Sequence, residues 1–154
     1  MIKIFLGCDH AGFEMKEKLK AYLAEFGYQT EDMGAFSYDE QDDYPDFISP
    51  VAQKVSEDPE NNRGIALGGS GQGEAMVANR VKGVRAAVLY FYNENIIRLS
   101  REHNNANVLS LGARFLNDEE AKRAVKLWLE TPFPGDERHK RRIKKIDDSS
   151  NSRN

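Results

Sequence analysis

Five short runs of strand character, four of them apolar, each separated from the next by a stretch of helical character, leave this chain few folds to choose from. The runs are Lys3 to Cys8, Tyr28 to Met33, Ile65 to Leu67, Val84 to Leu89 and Val108 to Leu111. Between the first two, Phe13, Leu19, Leu23 and Phe26 recur at helical spacing among Lys and Glu, and Gly27 closes the pattern. Further helices are predicted over Phe47 to Val55 with Pro50 in the first turn, Ala75 to Arg80, and Asn93 to Glu102. A helix capped by Asp118 carries Ala121, Ala124, Val125, Leu127 and Trp128, and a basic one runs from Arg138 to Ile146 after Pro132, Pro134 and Gly135. Strands alternating with helices predict an α/β fold: a doubly wound, Rossmann-like, five-stranded parallel sheet in three layers, with helices on both faces. In such sheets ligands bind beyond the carboxyl ends of the strands.

A chain of 154 residues, 40% hydrophobic and 31% charged, fits one soluble domain, here residues 1–146. The last eight residues, 147–154, are polar and read as a disordered tail. No apolar run approaches the ~20 residues of a membrane span, and no signal-peptide pattern opens the chain. The single cysteine fits a reducing, cytoplasmic setting. No Cys/His cluster has zinc spacing, so no metal is expected. A net charge of −3 argues against nucleic acid as a partner, although Arg138-His139-Lys140-Arg141-Arg142 is locally basic.

The third strand runs into Gly68-Gly69-Ser70-Gly71-Gln72-Gly73-Glu74, where four of the twelve glycines fall within six residues. Without Cβ atoms in the way, backbone N–H groups can turn toward a ligand, and a following helix start favours an anion. A Walker loop would need Lys after its last glycine, and Glu74 stands there. A G-x-G-x-x-G fingerprint would need glycine at 74 or 76. The remaining readings are a tight turn without a ligand, or a loop holding an anion and a base together.

The three histidines lie in polar clusters: Asp9-His10, His103-Asn104 and Arg138-His139, mostly assigned to the ligand side of the sheet. Arg138 and Arg142 are four residues apart, on one helical face, as a phosphate clamp requires; a solvated basic face is the plainer alternative. Arg114 follows the fifth strand. Cys8, at the end of an apolar strand, reads as an inert buried thiol rather than a nucleophile. Tyr90-Phe91-Tyr92 and the methionines read as packing residues.

Taken in order, seven motifs resemble the B-type ribose-5-phosphate isomerase family, which includes galactose- and allose-phosphate isomerases. They are Gly7-Cys8-Asp9-His10-Ala11-Gly12, Asp43-Tyr44-Pro45, Gly69-Ser70-Gly71-x-Gly73 with Ala78-Asn79, Gly83-Val84-Arg85-Ala86, His103-Asn104-x-x-Asn107-Val108, Gly112-x-Arg114 and Arg138-His139-x-x-Arg142. They span residues 1–146. The resemblance implies a cofactor-free aldose–ketose isomerase of a sugar phosphate, working as a homodimer with sites shared between subunits; pairing of dimers into tetramers stays open. It places the phosphate on His10, Arg114, Arg138 and Arg142, some from the partner chain, and ring opening on His103. Asn104, Asp9 and Tyr44 then contact substrate. Many members carry a cysteine base where this chain has Gly68. A second branch has Gly-Gly-Ser-Gly-x-Gly-Glu, and the match to that branch makes Glu74 the expected base.

On that reading, a cis-enediolate forms as Glu74 moves a proton between C2 and C1. Backbone N–H groups of Gly69, Gly71 and Gly73, with the Ser70 hydroxyl, hold the developing oxyanion. Burial would raise the Glu74 pKa and a helix N-terminus would lower it, and the sequence leaves the two opposed. Two alternatives accompany this reading: an isomerase of a different sugar phosphate, such as an allose, galactose or tetrose phosphate, and a non-catalytic sugar-phosphate-binding module.

Overall fold

The computed structural model describes residues 1–151, with side-chain surroundings given through Ser149. Five strands, β1 (Lys3–Cys8), β2 (Gln29–Asp32), β3 (Asn62–Gly68), β4 (Ala86–Leu89) and β5 (Val108–Gly112), form one sheet in the order β2-β1-β3-β5-β4. Every pairing is parallel. The helices are α1 (Phe13–Glu25), α2 (Pro45–Glu57), α3 (Gln72–Ala78), α4 (Glu94–Glu102), α5 (Asp118–Glu130) and α6 (Glu137–Asn151). No helix among the described residues is long and apolar enough to cross a membrane.

Strand alternation divides the core in two. Ile4 and Leu6 of β1, Ile65 and Leu67 of β3, and Leu109 and Leu111 of β5 join Leu19, Leu23, Ile97, Ala124, Val125 and Trp128 from α1, α4 and α5. Ala66 and Val108 face the other way, onto Ile48, Ala52 and Val55 of α2 and Ala78 of α3. Most of these side chains are fully buried, the leucines, isoleucines and valines each worth roughly 1.5–3 kcal/mol of transfer free energy. On the α2 side the sheet surface is cut down to glycine. A Cβ on Gly7 would lie 2.6 Å from the Phe47 carbonyl oxygen, and one on Gly64 would lie 2.8 Å from a Val51 methyl. This close approach holds the start of α2, and Tyr44 with it, over the carboxyl end of β1.

The fully buried ammonium of Lys16 is satisfied by Asp32 Oδ1 at 2.7 Å and the Ala35 carbonyl at 2.6 Å. Lys20 bonds the other oxygen of Asp32 at 2.6 Å. Together they hold the Asp32 carboxyl below the usual carboxylate range despite its burial. This anchors the acid-rich loop after β2 beside the end of β1.

Several boundaries differ from the sequence reading. The second helix begins at Pro45, a favourable first helical position because proline presets φ and lacks an N–H that would be orphaned there. Pro50 therefore lies inside the helix, not in its first turn. The cap of α5 is Asn117, which accepts from the Glu120 N–H at 2.8 Å while Glu120 Oε1 accepts from the Asn117 N–H at 3.0 Å. Asp118 is the first helical residue instead. Helix α3 starts at Gln72, three residues early, because Gly71 takes a left-handed conformation (φ 79°) that ends the loop there.

The last helix also continues past Ile146 to Asn151, into the segment expected as a disordered tail. Lys144 and Asp148 pair four residues apart along it at 2.7 Å, and Asp147 approaches Arg85 at 3.3 Å. Residues 152–154, the rest of the expected tail, lie outside the described residues. The expected packing role fails for Tyr90 and Phe91, which are 46% and 51% exposed, and for Met76 at 66%, while Met15 is buried.

Candidate active site

The strand order changes direction between β1 and β3, so a crevice opens beyond their carboxyl ends. Asp9 and His10 follow β1 there. Asp9 is buried and caps a short 3-10 turn, its Oδ1 accepting from the Ala11 N–H at 3.0 Å. The His10 ring meets Asp42 Oδ1 through Nδ1 at 2.7 Å, and its backbone N–H donates to the same oxygen at 3.1 Å. That hydrogen bond raises the His10 pKa, with the Asp9 charge adding and the Arg114 charge opposing. Asp9, His10 and Asp42 present ligand atoms within 4.8 Å of one another, a spacing that also suits a cation, but His10 Nδ1 is already engaged by Asp42.

The glycine-rich loop follows β3. The Ser110 hydroxyl donates to the Gly71 carbonyl at 2.6 Å and fixes the loop against β5. The chain beyond β5 runs along the same loop, Ala113 N–H donating to Gly68 O at 2.8 Å and Arg114 N–H to Gly69 O at 3.1 Å. The Arg114 guanidinium thus lies against Gly69, where an added Cβ would sit 3.0 Å from Nη1. Tyr44 covers Gly73 in the same manner, with its hydroxyl 2.6 Å from the position of a Cβ. Ser70 Oγ accepts from the Gln72 N–H at 3.3 Å.

Glu74 is 4% exposed, in the first turn of α3. Its carboxylate occupies the space that a side chain on Gly68 would fill: a Cβ built there overlaps Oε1 and the carboxyl carbon. Burial raises its pKa most strongly. A hydrogen bond from its own backbone N–H opposes the rise, and the nearby Asp9 charge adds to it. Of the two opposed effects named from sequence, burial wins. Cys8 is fully buried and burial pushes its thiol up to about 11, consistent with the inert role expected of it.

The residues beyond this cluster correct the placement of the histidines. His103 ends α4 and precedes β5, and Val108 pairs with Gly64 at the start of the sheet. Gly68, which pairs with Gly112, lies four residues further along, about 13 Å at ~3.3 Å per residue. His103 and Asn104 therefore lie at the amino end, away from Glu74 of the same chain. His139 stacks on His103 with centroids 4.2 Å apart, which brings α6, with Arg138 and Arg142, to that end too. One chain gathers Asp9, His10, Tyr44, Ser70, the loop glycines, Glu74 and Arg114. It sets His103, Asn104, Arg138 and Arg142 apart as a second cluster.

The whole chain has known relatives. The family model for ribose/galactose isomerases matches residues 4–146. The chain belongs to this family. It is 44% identical over 142 residues to ribose-5-phosphate isomerase B of Mycolicibacterium paratuberculosis, covering 92% of this chain and 87% of the relative. The Escherichia coli enzyme of that name is 40% identical over 146 residues, 95% of each chain. In three dimensions, ribose-5-phosphate isomerase B from Mycoplasma genitalium with bound ribulose-5-phosphate superposes with a TM-score of 0.93, at 39% identity and 97% coverage of both chains.

Within this isomerase family framework, several residues that shape the clusters had been given no role from sequence, although Arg85 and Asn79 lie in the quoted motifs. Arg85 donates to the carbonyls of Asn104 and Asn105 at 3.1 and 3.2 Å through Nε. Arg101 donates to Asn105 Oδ1 at 2.8 Å, and Asn105 is left-handed (φ 45°), so these arginines hold the turn that presents His103. Asn79, quoted in the family motif, pairs through both its side-chain atoms with the backbone of Ala86 on edge strand β4. Asp42 had a faint signal: it lies in an acid-rich run, Asp39-Glu40-Gln41-Asp42-Asp43.

Proposed function

We propose that this chain is an aldose–ketose isomerase that interconverts ribose 5-phosphate and ribulose 5-phosphate without a cofactor. The observation that carries this is the Glu74 carboxylate, buried among glycines at the β1/β3 crevice in place of a side chain on residue 68. A carboxylate whose pKa burial has raised suits proton abstraction next to a carbonyl. Glu74 removes the proton from C2 of the open-chain aldose and returns it to C1, while the hydroxyl proton passes from O2 to O1 of the enediolate. N–H groups of the loop and of Gly73, at the start of α3, hold the enediolate oxygen together with Ser70. Asp9, Tyr44 and Asn104 hold substrate hydroxyls. The substrate named for the Mycoplasma genitalium relative supports ribulose 5-phosphate as the ketose.

The separation of the two clusters supports a homodimer in which each site is completed by His103, Asn104, Arg138 and Arg142 of a second copy. His103 opens the furanose ring by protonating its oxygen, and the arginines hold the phosphate. The exposed residues Met76, Tyr90, Phe91 and Phe115, near the β4 edge, favour an apolar face that a second copy covers. Mixing Glu74→Gln with His103→Asn chains tests the sharing. Each variant alone is inactive. Half of randomly re-formed dimers are mixed and one of their two sites is intact, so about a quarter of wild-type activity returns. No recovery on mixing, with heterodimers confirmed, overturns the shared site.

A substrate panel tests the reaction itself. Ribose 5-phosphate is expected to give the highest kcat/KM against allose 6-phosphate, galactose 6-phosphate and a tetrose phosphate; preference for a six-carbon substrate would contradict the assignment. Arg142→Ala is expected to raise KM at least ~10-fold, with a smaller effect on kcat, because remote phosphate contacts position the reacting carbons. An unchanged KM would remove Arg142 from the clamp.

A further inference from the structure

We propose that Asp42 is a positioning residue that orients His10 and holds it as an imidazolium against the phosphate of the substrate. The inference rests on the sugar-phosphate reading above. Asp42 Oδ1 gathers two donors from His10, the backbone N–H at 3.1 Å and Nδ1 at 2.7 Å, which fixes both the main chain and the ring. The Asp42 side chain is 8% exposed, and its second oxygen is buried without a hydrogen-bond partner among the described residues. A buried carboxylate with an unmet oxygen is stabilised by the nearest available cation, and here that cation is the His10 ring. With Nδ1 engaged, Nε2–H is the ring donor left for a ligand.

The surroundings of His10 agree with an anion as that ligand. Asp42 from the loop after β2 and Asp9 from its own turn favour its charge, while Arg114 from beyond β5 opposes it. The Tyr38 ring stands edge-on to it with centroids 6.2 Å apart. Arg114 and a charged His10 together present two cations at the end of the crevice nearest Gly69, suited to a phosphate dianion. The raised His10 pKa sets the sign of the pH effect. Phosphate binding is favoured below that pKa and is lost as pH rises through it. On the acid side the limit belongs to the ligand, since a phosphate monoester loses its second charge near pH ~6.

The test uses Asp42→Asn, which keeps the shape and the acceptor for the His10 N–H but removes the charge. The probe is a pentitol 5-phosphate, which cannot isomerise, with its Ki measured from pH 6 to 9, alongside NMR titration of the His10 ring. In the variant, the alkaline limb of Ki is expected to move to lower pH, with binding near pH 8 weakened roughly tenfold. The acid limb stays, kcat at saturating substrate stays within about twofold, and Asp42→Glu restores part of the alkaline limb. Uniform weakening at every pH, or an alkaline limb that does not move, would overturn the proposal. If the probe fails to bind the wild-type protein, the sugar-phosphate reading is what fails. The ring titration still decides the pair, and an unchanged His10 titration in Asp42→Asn rules it out.

Discussion

Gly68→Ala is expected to lower kcat at least ~10²-fold, through the addition of one methyl group that touches no substrate. The backbone at Gly68 is not in a left-handed conformation, so alanine is sterically allowed there by its own φ and ψ. The loss arises because the new Cβ would occupy the position of the Glu74 carboxylate, which is then driven out of line with C1 and C2. Overpacking at a buried site of this kind also costs about 1–3 kcal/mol of stability. The coupling between the two residues separates this cause from a general disturbance. Once Glu74→Ala has emptied the space, adding Gly68→Ala is expected to cost little stability. Chemical denaturation of the two single variants and the double variant measures that interaction energy. Fully additive costs would show that the methyl acts elsewhere.

Glu74→Gln keeps the shape and removes the base, and turnover is expected to fall at least ~10²-fold with substrate affinity largely retained. The same change is expected to raise Tm at neutral pH. Burial raises the folded-state pKa of Glu74 above its unfolded value. The ionised carboxylate therefore destabilises the fold, increasingly as pH rises from the unfolded toward the folded pKa. The gain from glutamine should vanish at acid pH, where Glu74 is protonated in both states. In the wild-type protein the acid limb of kcat/KM is expected above the ordinary carboxylate range, since Glu74 must be ionised to act. A glutamine variant that is inactive but less stable than wild type would indicate damage to the loop instead.

The fold was largely legible because every strand is short and followed by a helix, and all but the polar edge strand β2 are apolar. The misplaced boundaries share one cause: local backbone chemistry that hydrophobic patterning does not register, such as proline at Pro45, the left-handed Gly71 and the capping pair Asn117 and Glu120. Within the site, Glu74 stood out because it broke two nucleotide motifs. The division into two clusters is also written in the sequence order. Residues just before a parallel strand lie at the amino end of the sheet and those just after it at the carboxyl end, which separates His103 from Arg114 across β5. Asp42 carried only the faint signal of its acid-rich run, and nothing in that run distinguishes the one carboxylate that folds back onto His10.

The identity of the base can be read from the fate of one hydrogen. Ribose 5-phosphate carrying deuterium at C2 is incubated with wild-type protein and with Glu74→Gln at saturating substrate, and loss of the label from C2 is followed by NMR. Wild-type protein is expected to remove the label at the rate of turnover. The glutamine variant is expected to bind the sugar phosphate yet keep the label at least ~10²-fold longer. Loss of the C2 label at the wild-type rate in Glu74→Gln would contradict the assignment of Glu74 as the base.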